Sequence, residues 1–134
     1  MLGDEVARDT RTGLEWTRHD DGQGLDGYKA EAYCRALVIG DSAGWRLPGV
    51  EELRSLYGAT PKSACGDAMC AIDRVFTLTS PYVWSATTPD PTSRTYLDFQ
   101  FGTQLSPGIT PRLLRRVLCV RTSPQARGSS AAKR

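Results

Sequence analysis

Gly44–Leu53, "GWRLPGVEEL", places a tryptophan, an arginine and a proline directly ahead of a short amphipathic run. Proline disfavours helical backbone at the residue before it, here Leu47, so a helix must begin beyond Pro48. Gly49 followed three residues later by Glu52 has the spacing of a capping box that lacks its hydroxyl, which predicts a helix from about Val50. Val50, Leu53 and Leu56 or Tyr57 form its apolar stripe, and Gly58 is expected to stop it. Trp45 and Arg46 stand just before the cap. There the indole is expected to cover the gap between helix and sheet, and the guanidinium to satisfy loop carbonyls, so that Trp45, Arg46 and Pro48 are structural rather than ligand-binding.

Upstream, Asp26 is placed to cap a first helix reaching about Ile39. Ala30, Tyr33, Cys34 and Leu37 recur at helical spacing while Lys29, Glu31 and Arg35 point outward, and Gly40 is expected to end it. The preceding "HDDGQGLDG" is a loop by composition. The spacing of its Asp20–Asp26 carboxylates does not fit the twelve-residue calcium loop, and no bidentate Glu follows where one is needed. His19 is the sole histidine and is expected to be exposed; a His-based zinc site or a Ser/His triad would have to rest on it alone, so no metal site and no triad are assigned. At the start, Val6–Asp9 and Leu14–Arg18 flank "TRTG" and predict a β-hairpin. Leu14 and Trp16 should face the core, with Glu15 and Thr17 outward.

Downstream, Ala59 to Pro81 is irregular, with "CGDAMC" at its centre, where Cys65 and Cys70 are near enough to close a small ring. Neither a zinc site nor a CxxC redox centre fits that spacing. "YVWSA", around Trp84, alternates as a strand. "RTYLDFQF" sets Leu97, Phe99 and Phe101 against Tyr96, Asp98 and Gln100, and "RRVLCVR" is apolar on both faces and predicts a central strand. The proline-bearing "TTPDPTS" and "SPGITPR" are surface loops. Residues 122–134 hold no apolar anchor and are expected to form a disordered basic tail after a domain of residues 1–121.

A chain of 134 residues fits one domain, which buries roughly two-thirds of its unfolded surface. With 40% hydrophobic and 24% charged residues the composition is that of a globular protein, and no apolar run approaches the roughly 20 residues that span a bilayer. The first residues carry no signal peptide. The four cysteines nonetheless favour an oxidising, extracytoplasmic compartment, with a removed export signal expected ahead of these residues; on their own they allow three pairings. The net charge of +2 conceals an asymmetry, because Asp98 is the last acidic residue and seven Lys and Arg follow it. A solvated basic face is one reading and an anion-binding surface the other. Nucleic acid is the weaker partner because no binding motif accompanies the arginines.

"RDTRTGLEWTR", "AEAYCRAL", "GWRLPGVEEL", "YVWSAT", "YLDFQFG" and "VLCVR" occur in the order of the DUF1566 family, which the chain resembles from Val6 to Arg121. That family is also named for the C-terminal domain of the Legionella collagen-like adhesin and is related to C-type lectin-like folds. The resemblance implies a disulfide-stapled α+β domain with two short helices packed on a small, mostly antiparallel sheet, adjacent first and last strands, and a long-loop region. It further implies that Cys34 pairs with Cys119, leaving Cys65 for Cys70. Gly49 departs from the family pattern, where a Thr or Ser cap is usual.

Calcium-dependent lectins use asparagine-bearing motifs, and this chain contains no asparagine; "VWS" carries serine where the ligand Asn would stand. Formylglycine-generating enzymes share a related scaffold but need paired cysteines late in the chain, and Cys119 has no such neighbour. Retroelement-diversified binding proteins vary at positions that include asparagine codons, which also argues against membership. The expectation is therefore a non-enzymatic module without cofactor, in an exported bacterial surface or periplasmic protein. Adhesion or recognition of sulfated or acidic polysaccharide would run through Arg94, Arg112, Arg115 and Arg116. The alternative is a structural module that meets another protein chain.

Overall fold

The computed structural model describes residues 5–58 and 60–122. Among them the chain runs β1 (Val6–Asp9), β2 (Leu14–Thr17), α1 (Ala30–Ala36), α2 (Val50–Arg54), β3 (Ser63–Cys65), β4 (Ala68–Cys70), β5 (Tyr82–Trp84), β6 (Tyr96–Asp98), β7 (Thr103–Leu105) and β8 (Val120–Thr122). This is a small α+β fold. Its strands form three antiparallel sheets, β1-β2-β8, β3-β4 and β5-β6-β7, rather than the one sheet expected. Thr122, expected to open the tail, instead closes β8, and the rest of the expected tail lies outside the described residues.

The hairpin forms as read, with Gly13 at φ 74° donating its N–H to Asp9 O at 2.9 Å. Its outer face is not solvated, however. Glu15 and Thr17 are buried with Trp16, because β8 and the segment before it lie alongside. Thr17 Oγ1 accepts the Cys119 N–H at 2.9 Å, and Glu15 accepts from Arg8 and Arg121. The last strand pairs with β2, which separates it from β1, so first and last strands share a sheet without touching.

Both helices are shorter than their sequence patterns suggest. Asp26 Oδ1 accepts the N–H groups of Tyr28 and Lys29, which makes a turn ahead of α1 instead of the helix itself. The helix ends where Leu37 becomes extended. Gly40, at φ 58°, then serves the tight turn in which Ile39 and Ser42 exchange backbone hydrogen bonds. α2 likewise ends well before Gly58, whose N–H joins Ala71 O at 2.7 Å and docks the chain onto the strand region. The missing hydroxyl of its cap comes from elsewhere: Thr87 Oγ1 accepts the Val50 N–H at 3.0 Å, while Glu52 Oε1 accepts the Gly49 N–H at 2.9 Å.

Two apolar clusters fill the interior. Trp16, Leu53, Phe76, Val83, Leu97, Phe99, Leu118 and Val120 belong to one; Ala30, Cys34, Trp45, Leu47, Trp84, Tyr96, Val117 and Cys119 belong to the other. Residues 117–120 alternate between them, which explains why "VLCV" is apolar on both faces. This segment is central in burial but not a central strand of one sheet. Arg115 bridges to Leu25, Arg116 to Val83 and Val120 to Arg46, and only Val120–Thr122 enters a ladder. β6 stops at Asp98, whose carbonyl accepts the Gly102 N–H at 2.7 Å. The turn so formed carries Phe101 out to 70% exposure instead of inward beside Phe99.

Cys34 pairs with Cys119 and Cys65 with Cys70, at Cα separations of 5.5 and 5.9 Å. The first bridge pins α1 to the segment between the clusters. The second closes the β3-β4 hairpin.

Candidate functional site

The fold treats the four arginines that the sequence singles out in different ways. Arg94 is buried. Its Nε donates to Gly27 O at 3.0 Å, its Nη1 to Ser85 O at 2.9 Å, and its Nη2 lies 3.5 Å from Glu31. That fork is spent on holding loops together and presents no surface to a ligand. Arg116 donates through Nε to Thr79 Oγ1 and sits 3.8 Å from the Asp20 carboxylate, closing the junction between the glycine-rich loop and the segment before β5.

Arg112 and Arg115 pair with no carboxylate among the described residues. Arg112 is exposed. Arg115 is half-buried, with its guanidinium carbon 4.7 Å from the Tyr82 ring centroid and 4.5 Å from that of Tyr96. The two rings meet edge to face at 5.8 Å. The backbone beneath them is pinned from both sides. Leu25 and Arg115 exchange hydrogen bonds of 2.8 and 3.0 Å, and Arg116 exchanges bonds of 2.9 Å with Tyr82 and Trp84 of β5. The sequence does not single out Tyr82 and Tyr96. The only signal for them was their alternation with the core residues Val83 and Leu97, which marks a second sheet face but not what lies over it.

The tryptophan and proline positions lie in the interior. Trp84 donates to Leu25 O at 2.7 Å, Trp45 to Ser42 O at 3.3 Å, and Pro48 accepts the Ala86 N–H at 2.7 Å; all three are buried, as is Trp16. Arg46 does not satisfy loop carbonyls as expected. Its fork grips the Glu52 carboxylate at 2.8 and 2.7 Å, because Glu52 is already turned toward the cap by Gly49. This pairing holds the Glu52 carboxyl below the ordinary carboxylate range and raises Arg46.

The loop aspartates serve backbone donors. Asp20 accepts from the N–H groups of Gly22 and Thr79, and Asp21 from those of Gly24 and Val117. His19 is exposed, and all four cysteines are in disulfides. A cleft of about 280 Å³ between the hairpin turn and α2 is lined by Arg11, Lys62, Asp9 and Asp73 over Phe76. Its charges cancel, so it does not continue the basic surface. No helix among the described residues is long and apolar enough to cross a membrane.

The family model of the Lcl C-terminal domain matches residues 5–121, from the approach to β1 into β8. The chain belongs to the Lcl C-terminal domain family. No curated protein and no solved structure matches it. The matched span of this Lcl C-terminal domain takes in both helices, both disulfides and the Tyr82, Tyr96 and Arg115 cluster.

Proposed function

We propose that this Lcl C-terminal domain is a non-catalytic binding module of an exported bacterial surface or periplasmic protein, with a C-type lectin-like architecture, and that it recognises anionic, sulfated glycans. The observation that carries the reading is the pair of arginines without a carboxylate partner among the described residues, Arg112 and Arg115, the second on backbone pinned to Leu25, in a part of the chain without acids. Two disulfides support extracytoplasmic placement, since such bonds persist in oxidising compartments. Retention on immobilised heparin tests the proposal. The domain should be held at about 0.1 M salt and released well before about 1 M, where screening shortens to about 3 Å. An Arg112, Arg115 and Arg116 triple alanine variant that stays folded by circular dichroism should elute early, and unchanged retention would refute the reading.

A second reading, a structural contact with another protein chain, rests on β7. All of Thr103–Leu105 is exposed at a sheet edge next to Phe101. Association of that kind persists as salt is raised.

A further inference from the structure

We infer that Arg115, packed into the corner formed by the Tyr82 and Tyr96 rings, is the anchor that receives an oxyanion group of the ligand, a sulfate or carboxylate, on its guanidinium. This rests on the reading of the basic surface as ligand-binding and assigns the contact to one residue. A guanidinium has five N–H donors in a planar fork. In Arg115, Nη1 donates to Leu114 O at 3.2 Å and Nη2 to Tyr96 Oη at 3.3 Å, while Nε is sealed from solvent without a partner. Each terminal nitrogen carries a second N–H for which no acceptor stands among the described residues, and paired guanidinium donors are what an oxyanion takes.

The other arginines of this region lack the combination. Arg94 has its fork filled by Gly27 and Ser85, Arg116 is committed to Thr79 and Asp20, and Arg121 donates to Glu15 and Ala43 O. Arg112 is free but unheld, so immobilising its side chain costs rotamer entropy that Arg115 has already given up by stacking. The two tyrosine rings, with centroids 4.7 and 4.5 Å from the guanidinium carbon, also stabilise the cation and restrict its side chain. Leu105, paired with Tyr96 across β6 and β7 and exposed, gives the site an apolar shoulder against which a sugar ring can rest.

The test compares Arg115→Lys, Arg112→Lys and Tyr82→Leu in the full chain, with binding measured at one salt concentration to a heparin oligosaccharide and to polygalacturonate. The first probe carries sulfate and carboxylate, the second carboxylate alone. Arg115→Lys keeps the charge and loses the planar fork, and should weaken binding by about tenfold, as loss of one charge-assisted hydrogen bond implies. Arg112→Lys should change it by less than about twofold. Tyr82→Leu keeps Arg115 but releases it and should follow Arg115→Lys; it carries the comparison if the lysine variant fails to fold. Weakening with both probes identifies carboxylate as sufficient, and weakening with heparin alone identifies sulfate. Equal losses in the two lysine variants, or a folded Tyr82→Leu protein that binds as wild type, would overturn the assignment to Arg115 while leaving the basic surface standing. A wild-type chain that binds neither probe would remove both.

Discussion

Cys34–Cys119 spans 85 residues and joins α1 to the segment separating the two cores, whereas Cys65–Cys70 spans 5 and closes one hairpin. The two bonds have similar Cα separations and all four cysteines are buried, so packing alone does not tell them apart. Sequence separation does. Restricting the unfolded chain is worth about 4.5 kcal/mol for the long closure and about 2 kcal/mol for the short one in the loop-entropy model. The surroundings amplify the contrast. Cys119 lies beside the Thr17 hydroxyl and one residue before the Arg46 and Val120 backbone pair, with the Arg121 and Glu15 ion pair just beyond. The long bridge is one of several ties between chain ends, while the short one stiffens a peripheral hairpin.

The largest effect should come from breaking the long tie. Replacing Cys34 and Cys119 together by Ser should lower the unfolding free energy by about 4 to 5 kcal/mol in denaturant titrations, and by about 2 kcal/mol for Cys65 and Cys70. Equal losses would erase the distinction between the two regions. Next comes Glu15→Ala, which strips the shared partner from Arg8 and Arg121 and should cost about 3 kcal/mol, since it leaves cations without their buried counter-charge. A loss under about 0.5 kcal/mol, the scale of a surface pair, would show that the chain ends are not tied there.

The same carboxylate sharpens the comparison through pH. Burial alone would raise the Glu15 carboxyl, but hydrogen bonds from Arg8 and Arg121 outweigh it and hold the group below its ordinary range. A depressed carboxyl stabilises the fold fully above the unfolded value, about 4.3, and loses that contribution as pH falls toward and through the lower folded value. Wild-type stability should therefore drop on acidification more steeply than that of Glu15→Gln, and parallel acid profiles would exclude Glu15 as the cause. The smallest effect concerns a single local tie. Thr87→Ala should cost α2 about 1 kcal/mol, and Gly49→Ser should offset part of it by satisfying the N–H of Glu51 or Glu52 in place of that of Val50. A Thr87→Val variant as stable as wild type would mean that Thr87 acts by packing.

Legibility followed the range of the forces. The hairpin turn at Gly13, the helix start beyond Pro48 and the two-faced apolarity of "VLCV" are patterns over a few residues, and each reappears in the fold. The helix ends were misread because Gly40 and Gly58 serve contacts outside their helices, to the Ser42 turn and to Ala71. The face of Phe101 was misread because the Asp98 turn interrupts the alternation. The short strands β3, β4 and β7 left no signal, since three residues are too few for a period to show.

The arginines mark the boundary between the two kinds of knowledge. Composition and order by themselves determined that the carboxyl-terminal part is basic and that its middle is buried on both faces, because charge and hydropathy belong to residues wherever they lie. Which guanidinium is consumed and which stays open was decided only in three dimensions. Arg94 meets Gly27 from 67 residues away, Arg121 meets Glu15 from 106, and Arg115 finds Tyr96 across 19. A cation's availability depends on whether an acceptor arrives within hydrogen-bonding distance, and folding brings those acceptors together from distant parts of the chain.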